Sequence, residues 1–428
     1  TAPLNPVTGP VRVEGAAPPA AVPDGVVDDD DIDEDIADRR QLLPRERARR
    51  ALSMVLPEAE VPLVGPEPDG APERGLVAAP RLARHVFQLS DGHQVGVTVS
   101  GRGVPLVMVH GFTAEGFLYA QTLSRLVSMG FKVVAIDTAN HGSTQGLPSG
   151  GANFGEYARL LGRALDELGI PRAFFVGHSM GGRVVTQLCA TEPERALGIV
   201  LIDAIVGDTW DRLVNVGRVF PPAMASVVIL LALDVMATPP VLGNPEQAAK
   251  LGRLFAPTLA GHVLRPWRML GPAVSILRSR GSRWMLQRLA QEQVPVVAIH
   301  GTRDYAVPLR TAKDAARRAR GQLVVIDGAN HAWPLRDPET LPAIVSDLLH
   351  GEFGEAYRQA VRDQGLDPAV ATLDQVEDAF HPPGAAIVEL TPPLEFARLG
   401  ARRRRPAYHY EIKPALQTGH PSVVGRAR

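Results

Sequence analysis

Five consecutive residues, Gly177-His178-Ser179-Met180-Gly181, carry the strongest chemical signal in the chain. They follow a short apolar run at 173–176 and open a helical pattern, so Ser179 stands at a sharp strand-to-helix turn. A serine so placed has a strained backbone and an exposed hydroxyl, and the glycines two before and two after it let strand and helix approach closely. The helix start adds unpaired backbone N–H groups and the positive end of a dipole, which suit a developing oxyanion. An unassisted serine hydroxyl is a weak nucleophile. Such chemistry therefore needs an imidazole to accept the proton and a carboxylate to hold that imidazole. The competing assignment is an ordinary N-cap serine, and the pentapeptide by itself recurs by chance. Its placement between a buried strand and a helix favours the nucleophile.

Holding a serine in that way requires a sheet, and the chain carries the pattern of one. Apolar runs at 105–110, 132–137, 173–177, 198–202, 294–300 and 322–326 read as strands buried on both faces. Helical patterns at 117–128, 154–168, 180–191, 309–320 and 338–349 alternate with them. This alternation predicts an α/β fold, with a mostly parallel sheet flanked by helices. Ahead of it, alternating residues at 85–89 and 94–99 around Asp91-Gly92 predict a hairpin, and the folded region starts near residue 82.

Residues 205–289 interrupt the alternation with helical stretches and Pro/Gly breaks, and read as a helical cap between core segments 82–204 and 290–350. Residues 351–428 read as a C-terminal extension, with helical patterns at 353–364 and 373–380 and a tail containing Arg402 to Arg405. Residues 1–81 are rich in Pro, Ala and acids and read as a disordered arm. Within that arm an acidic run, Asp28 to Asp35, precedes Arg39, Arg40, Arg45, Arg47, Arg49 and Arg50.

Composition narrows the function further. The 428 residues are 45% hydrophobic and carry 45 Lys and Arg against 46 Asp and Glu. Such a balance supports a large core and argues against a nucleic-acid partner. A single cysteine, Cys189, excludes an intrachain disulfide framework and a zinc site built from several thiolates. The apolar run at 221–233 ends at Asp234 and falls short of the ~20 residues of a membrane-spanning helix. The first residue is Thr1 rather than Met, as in a trimmed or processed chain.

With these elements in order, the chain resembles the α/β-hydrolase superfamily, in its serine esterase and lipase-like form, over residues 82–350. Four motifs carry the resemblance: His110-Gly111-Phe112, the Ser179 elbow, Gly301-Thr302-Arg303-Asp304 with Val307-Pro308 behind it, and Gly328-Ala329-Asn330-His331. The resemblance implies an eight-stranded sheet in which Ser179 is the nucleophile, Asp304 the acid and His331 the base, in the chain order this fold uses. Asp203, at the end of the preceding strand, is the alternative acid. Backbone N–H groups of Phe112 and Met180 are the implied oxyanion hole, and neither a cofactor nor a metal is implied. Serine at the elbow, where relatives that open epoxides or displace halide have aspartate, demotes those two chemistries. The family commonly has glycine where this chain has Asn140 and Asn330, which weakens substrate inference from near relatives.

The activity implied is hydrolysis of a carboxylic ester or thioester through an acyl-enzyme. Amidase, carbon–carbon hydrolase and perhydrolase activities look the same at motif level, and a non-catalytic scaffold or peripheral-membrane protein keeping this body is the other alternative. The cap is the guide to substrate. Residues 205–290 hold ten basic against four acidic side chains and an apolar run at 224–233, which suits a lipid-like ester with an anionic head or interface nearby. Trp333 and Leu230 are the candidate pocket residues. The expected partner is a small-molecule or lipid-like ester, and the arm, the tail and the arginine-rich segments leave protein docking and peripheral membrane contact open. The favoured compartment is cytoplasmic or membrane-peripheral, with secretion open.

Overall fold

The computed structural model describes residues 76–79, 82–112, 114–127, 129–149, 152–222, 226–227, 265–393, 395–398 and 406–415. The acidic run, the arginines of the arm and Arg402 to Arg405 lie outside the described residues.

Eleven strands are described: β1 (Leu76–Ala79), β2 (Ala83–Gln88), β3 (Gln94–Ser100), β4 (Val104–Val109), β5 (Phe131–Ile136), β6 (Ala173–His178), β7 (Ala196–Ile202), β8 (Val296–Gly301), β9 (Gln322–Ile326), β10 (Glu395–Arg398) and β11 (Tyr410–Lys413). Nine of them form one sheet in the order β11-β9-β8-β7-β6-β4-β5-β3-β2. From β5 to β9 every pairing is parallel, while β3, β2 and β11 pair antiparallel toward the edges. Strands β1 and β10 form a separate antiparallel pair.

Every residue of β4, β5, β6, β7 and β8 is buried, as continuous apolar runs require when both faces are covered. Alternation divides them between two cores. Leu106 and Met108 join Phe131, Phe174 and Val200 on one face, whereas Val107 and Val109 join Phe175, Val185 and Leu201 on the other. The second face is covered by helices Phe154–Leu168 and Met180–Thr191, the first of which starts at Asn153, whose side chain accepts from Glu156 N–H, and ends at Gly169 with φ 77°. Since β4 is flanked by β5 on one side and β6 on the other, the strand order reverses there, and a crevice opens beyond the ends of β4 and β6.

Two departures from the sequence reading concern boundaries. The sheet has nine strands rather than eight, because β11, from the expected extension, adds to the open edge of β9. Four residues of alternating, partly exposed side chains carry little signal until an edge is available to pair with. Helix Glu352–Asp363 also belongs to the core: Phe353 packs on Phe174 with ring centroids 4.6 Å apart, and Tyr357 lies 5.5 Å from Phe131. Within residues 205–289, α-helices are described at Asp208–Val219 and Leu270–Leu277. Its expected end at residue 289 falls inside helix Arg283–Gln291, which buries Met285, Leu286 and Leu289 against helices Met180–Thr191 and Leu309–Ala319.

Helix Leu373–Phe380 is fastened by a capping box from Thr372 and Gln375 and by a buried ion pair between Glu377 and Lys132 of β5. Glu377 also accepts from the Gly103 N–H at 3.3 Å. Burial pulls the Lys132 ammonium below its ordinary value while Glu377 opposes that shift, so the ammonium depends on this carboxylate. Lys132→Met should therefore cost about 3–5 kcal/mol in urea denaturation by stranding the carboxylate, and adding Glu377→Gln should recover much of that loss. Equal losses in the single and double variants would show that the pair is not the fastening.

Candidate active site

Ser179 occupies φ 52° and ψ −116°, a conformation that costs ~1–3 kcal/mol and survives only where neighbours enforce it. Three backbone hydrogen bonds do so. Its N–H donates to Ile202 O at 2.8 Å, and its carbonyl accepts from Gly182 N–H at 3.1 Å and Ile205 N–H at 3.2 Å. The glycines follow from the same crowding. A Cβ at Gly177 would lie 2.5 Å from Gly182 Cα, and one at Gly181 would lie 2.1 Å from Val109 O, at the end of β4. A Cβ at Gly111 would come within 3.2 Å of Ser179 Cβ, so the His110-Gly111-Phe112 loop closes directly on the serine.

Parallel register assembles the remaining loops. Val109 is level with Gly177, Ile202 with Ile299, and Gly301 with Ile326. The segments after β4, β6, β7, β8 and β9 consequently emerge at one edge of the sheet. There His331 Nδ1–H donates to Asp304 Oδ2 at 2.7 Å, which leaves Nε2 as the ring nitrogen able to accept a proton. The other carboxylate oxygen, Oδ1, accepts from Ala306 N–H at 2.9 Å and Val307 N–H at 2.8 Å. Burial drives the Asp304 carboxyl upward, but the His331 charge and hydrogen bond prevail, with help from His300 and the Val307 N–H, and hold it below its ordinary value.

Asp203 has different partners. Its Oδ1 accepts from Gly301 N–H at 3.0 Å and its Oδ2 from the Trp333 indole N–H at 2.7 Å, and burial pushes its carboxyl up to about 6. The structure thus hydrogen-bonds His331 to Asp304, while Asp203 is bound to backbone and indole. Trp333 corrects an expectation. It is fully buried in the first core and does not line the cavity beside Ser179, because a buried indole N–H needs an acceptor and Asp203 supplies it. Leu230 lies outside the described residues.

The sequence reading assigned no partners to two histidines beside the site. His178 Nε2–H donates to the His331 carbonyl at 3.0 Å, and its Nδ1 accepts from the Tyr119 hydroxyl at 2.7 Å. Burial lowers His178 to about 3, so it stays neutral and keeps this tautomer. His300 Nε2–H donates to Val307 O at 2.8 Å, tying β8 to the loop that holds Asp304. Lying in the elbow and next to Gly301, both were visible as residues, but their partners are 59 and 153 positions away for His178. Asn140 takes φ 67°, the left-handed conformation that favours glycine and that asparagine tolerates.

A cavity of about 810 Å³, in the size range of small-molecule pockets, opens on this edge. Ser179, Met180, Phe112 and His331 line it together with Ile205, Trp210, Val227, Ile276, Leu277 and Val307. The wall is therefore mainly apolar around the Ser179 turn.

Trp333→Phe should destabilise the fold by about 1–3 kcal/mol in chemical denaturation, because it leaves a buried carboxylate oxygen unpaired. The sign with pH follows from the raised folded value of Asp203, whose ordinary value is 3.8. Its contribution is complete below the ordinary value and is lost as pH rises through about 6, where the buried carboxylate ionises and depends most on its N–H donors, so the penalty of Trp333→Phe should be larger at about pH 8 than at about pH 5. A penalty independent of pH would mean that the indole serves packing alone.

A profile of the alpha/beta hydrolase family matches residues 106–344. A protein of Mycobacterium phage D29 named "Putative non-heme haloperoxidase" is 32% identical over 285 residues, 64% of this chain and 98% of that protein. A non-heme chloroperoxidase of Streptomyces lividans is 28% identical over 255 residues, 56% of this chain and 89% of that protein. Among solved structures, a hydrolase from Pseudomonas aeruginosa matches with a TM-score of 0.50 and 20% identity, over 63% of this chain and 98% of that one. With the family profile spanning the elbow and the loops after β4, β7, β8 and β9, the chain belongs to the alpha/beta hydrolase family.

Proposed function

We propose that the protein is a serine hydrolase that cleaves carboxylic esters or thioesters with a lipophilic acyl group. Ser179 Oγ attacks the acyl carbonyl carbon as His331 Nε2 takes its proton, and Asp304 holds the imidazole and stabilises its charge. The backbone N–H groups of Phe112 and Met180 bind the oxyanion of the tetrahedral intermediate. Collapse breaks the bond to the leaving group, which departs with the proton from His331. Water then attacks the acyl-enzyme by the same route and releases the acid. The observation that carries this reading is the convergence of a strained Ser179 and an Asp304-bound His331 on one largely apolar cavity.

A second reading has its own support in the names of two relatives, a "Putative non-heme haloperoxidase" and a non-heme chloroperoxidase. Hydrogen peroxide in place of water would take the acyl group from Ser179 and release a peroxycarboxylic acid, and the acyl-enzyme step would be unchanged.

A fluorophosphonate probe should label the wild type and not Ser179→Ala, and ester turnover should fall by roughly six orders of magnitude in that variant. An unlabelled, folded wild type would favour a scaffold. Asp304→Asn should reduce kcat on the order of 10⁴-fold, whereas a loss of only a few fold would transfer the role of acid to Asp203. Across p-nitrophenyl esters, kcat/KM should rise from acetyl to medium and long acyl chains. Activity confined to acetyl and butyryl esters would remove the lipophilic assignment, and Ser179-dependent halide oxidation in acetate and hydrogen peroxide would support the second reading.

A further inference from the structure

Three arginines, Arg218, Arg278 and Arg280, line the cavity that contains Ser179, and among the described residues no carboxylate lines it. None of the three forms an ion pair with a described residue. Acids of the adjacent helix Asp208–Val219 are committed elsewhere: Asp208 accepts from Arg318 at 2.6 Å, and Asp211 accepts from the Ser282 N–H at 2.6 Å and hydroxyl at 2.7 Å. Among the described residues, the cavity lining thus combines apolar residues with three arginines and no carboxylate.

The segment bearing Arg278 and Arg280 is held at several points along its backbone. Arg218 Nε donates to Leu277 O at 2.6 Å, and its guanidinium also donates to Ser279 O. Buried Arg183, in the helix that starts after Ser179, donates to Arg280 O at 2.5 Å. Ser282 is gripped by Asp211 and passes on a hydrogen bond, its hydroxyl oxygen accepting from Gly207 N–H at 2.8 Å. These contacts use carbonyls and amides of the segment and leave the side chains of Arg278 and Arg280 exposed. The anchors fix where the segment runs past the cavity, and two exposed arginines two positions apart, with no described carboxylate paired to them, attract an anion.

We infer that Arg278 and Arg280, on a segment that Arg218 holds through its carbonyls, form an anion subsite, so that the substrate carries a carboxylate or comparable anionic group in addition to its apolar acyl chain. The inference rests on the hydrolase reading for its link to turnover, but the binding it asserts does not require catalysis. A guanidinium presents paired N–H donors that match an oxyanion group, and the apolar residues between serine and arginines suit the methylene chain between scissile carbonyl and anion.

The test compares p-nitrophenyl hexanoate with the p-nitrophenyl hemiester of adipic acid, which ends in a carboxylate. In the wild type the ratio of kcat/KM should favour the hemiester, and in Arg278→Gln/Arg280→Gln that ratio should fall on the order of tenfold. Salt should erode the preference in the wild type and not in the double variant. An unchanged ratio in the variant, or a wild-type preference for the neutral ester, overturns the subsite. In parallel, calorimetric titration of Ser179→Ala with decanoate and with decanol reads binding without turnover. Decanoate should bind on the order of tenfold tighter, and the advantage should vanish when the two arginines are also replaced. Equal affinities overturn the subsite whatever the kinetics. Tight decanoate binding by a protein that cleaves neither ester would instead overturn the hydrolase reading and leave the subsite standing.

Discussion

The close approach of three backbones at the elbow is the constraint on which the site depends. Strand β6 ends against the helix that follows it and against the last carbonyls of β4, and only glycine at 177 and 181 permits both contacts. In exchange, the turn holds Ser179 in a conformation that an L-residue avoids, fastened by Ile202, Gly182 and Ile205. Strand β7, a parallel neighbour of β6, supplies part of that grip through Ile202, so the strain is sustained in part by the sheet and not by the turn alone. A serine in a mobile loop would relax and turn its hydroxyl away.

Charge in this region is assigned by partners more than by residue type. Asp203 and Asp304 follow adjacent strands, both are buried, and their carboxyls move in opposite directions. Asp304 receives the His331 N–H and two backbone N–H groups and is held in its ionised form. Asp203 has a backbone N–H and an indole N–H, and burial dominates. The ring of His300 lies between the two aspartates, 3.4 Å from Asp203 and 3.5 Å from Asp304, and its Nε2–H is given to Val307 O. The buried Lys132 and Glu377 pair follows the same logic far from the cavity, where it fastens a C-terminal helix to β5.

The body of the fold was legible because its strands are apolar on both faces and its helices alternate with them, a pattern that local sequence carries in full. The six runs read as sheet strands correspond to β4, β5, β6, β7, β8 and β9, and the hairpin at Asp91-Gly92 to β2 and β3. What failed was assignment by position along the chain. Residues after 350 looked like an extension, yet Phe353 and Tyr357 complete an aromatic cluster with Phe131 and Phe174, and Tyr410–Lys413 closes a sheet edge. Likewise Trp333, beside the histidine motif in sequence, faces away from the cavity because its indole N–H is taken by Asp203.

Spacing and residue type alone determined the serine turn, the two glycines that relieve its crowding, and the order of the motifs that follow, since each depends on sterics within a few residues. Only the tertiary structure decided which aspartate meets His331, that His178 links Tyr119 to the His331 backbone, and that Arg218, Arg278 and Arg280 line one cavity with Ser179. Those outcomes depend on the register between parallel strands and on which helices pack together, and hydrogen bonds between residues a hundred positions apart leave no periodic trace in the chain that makes them.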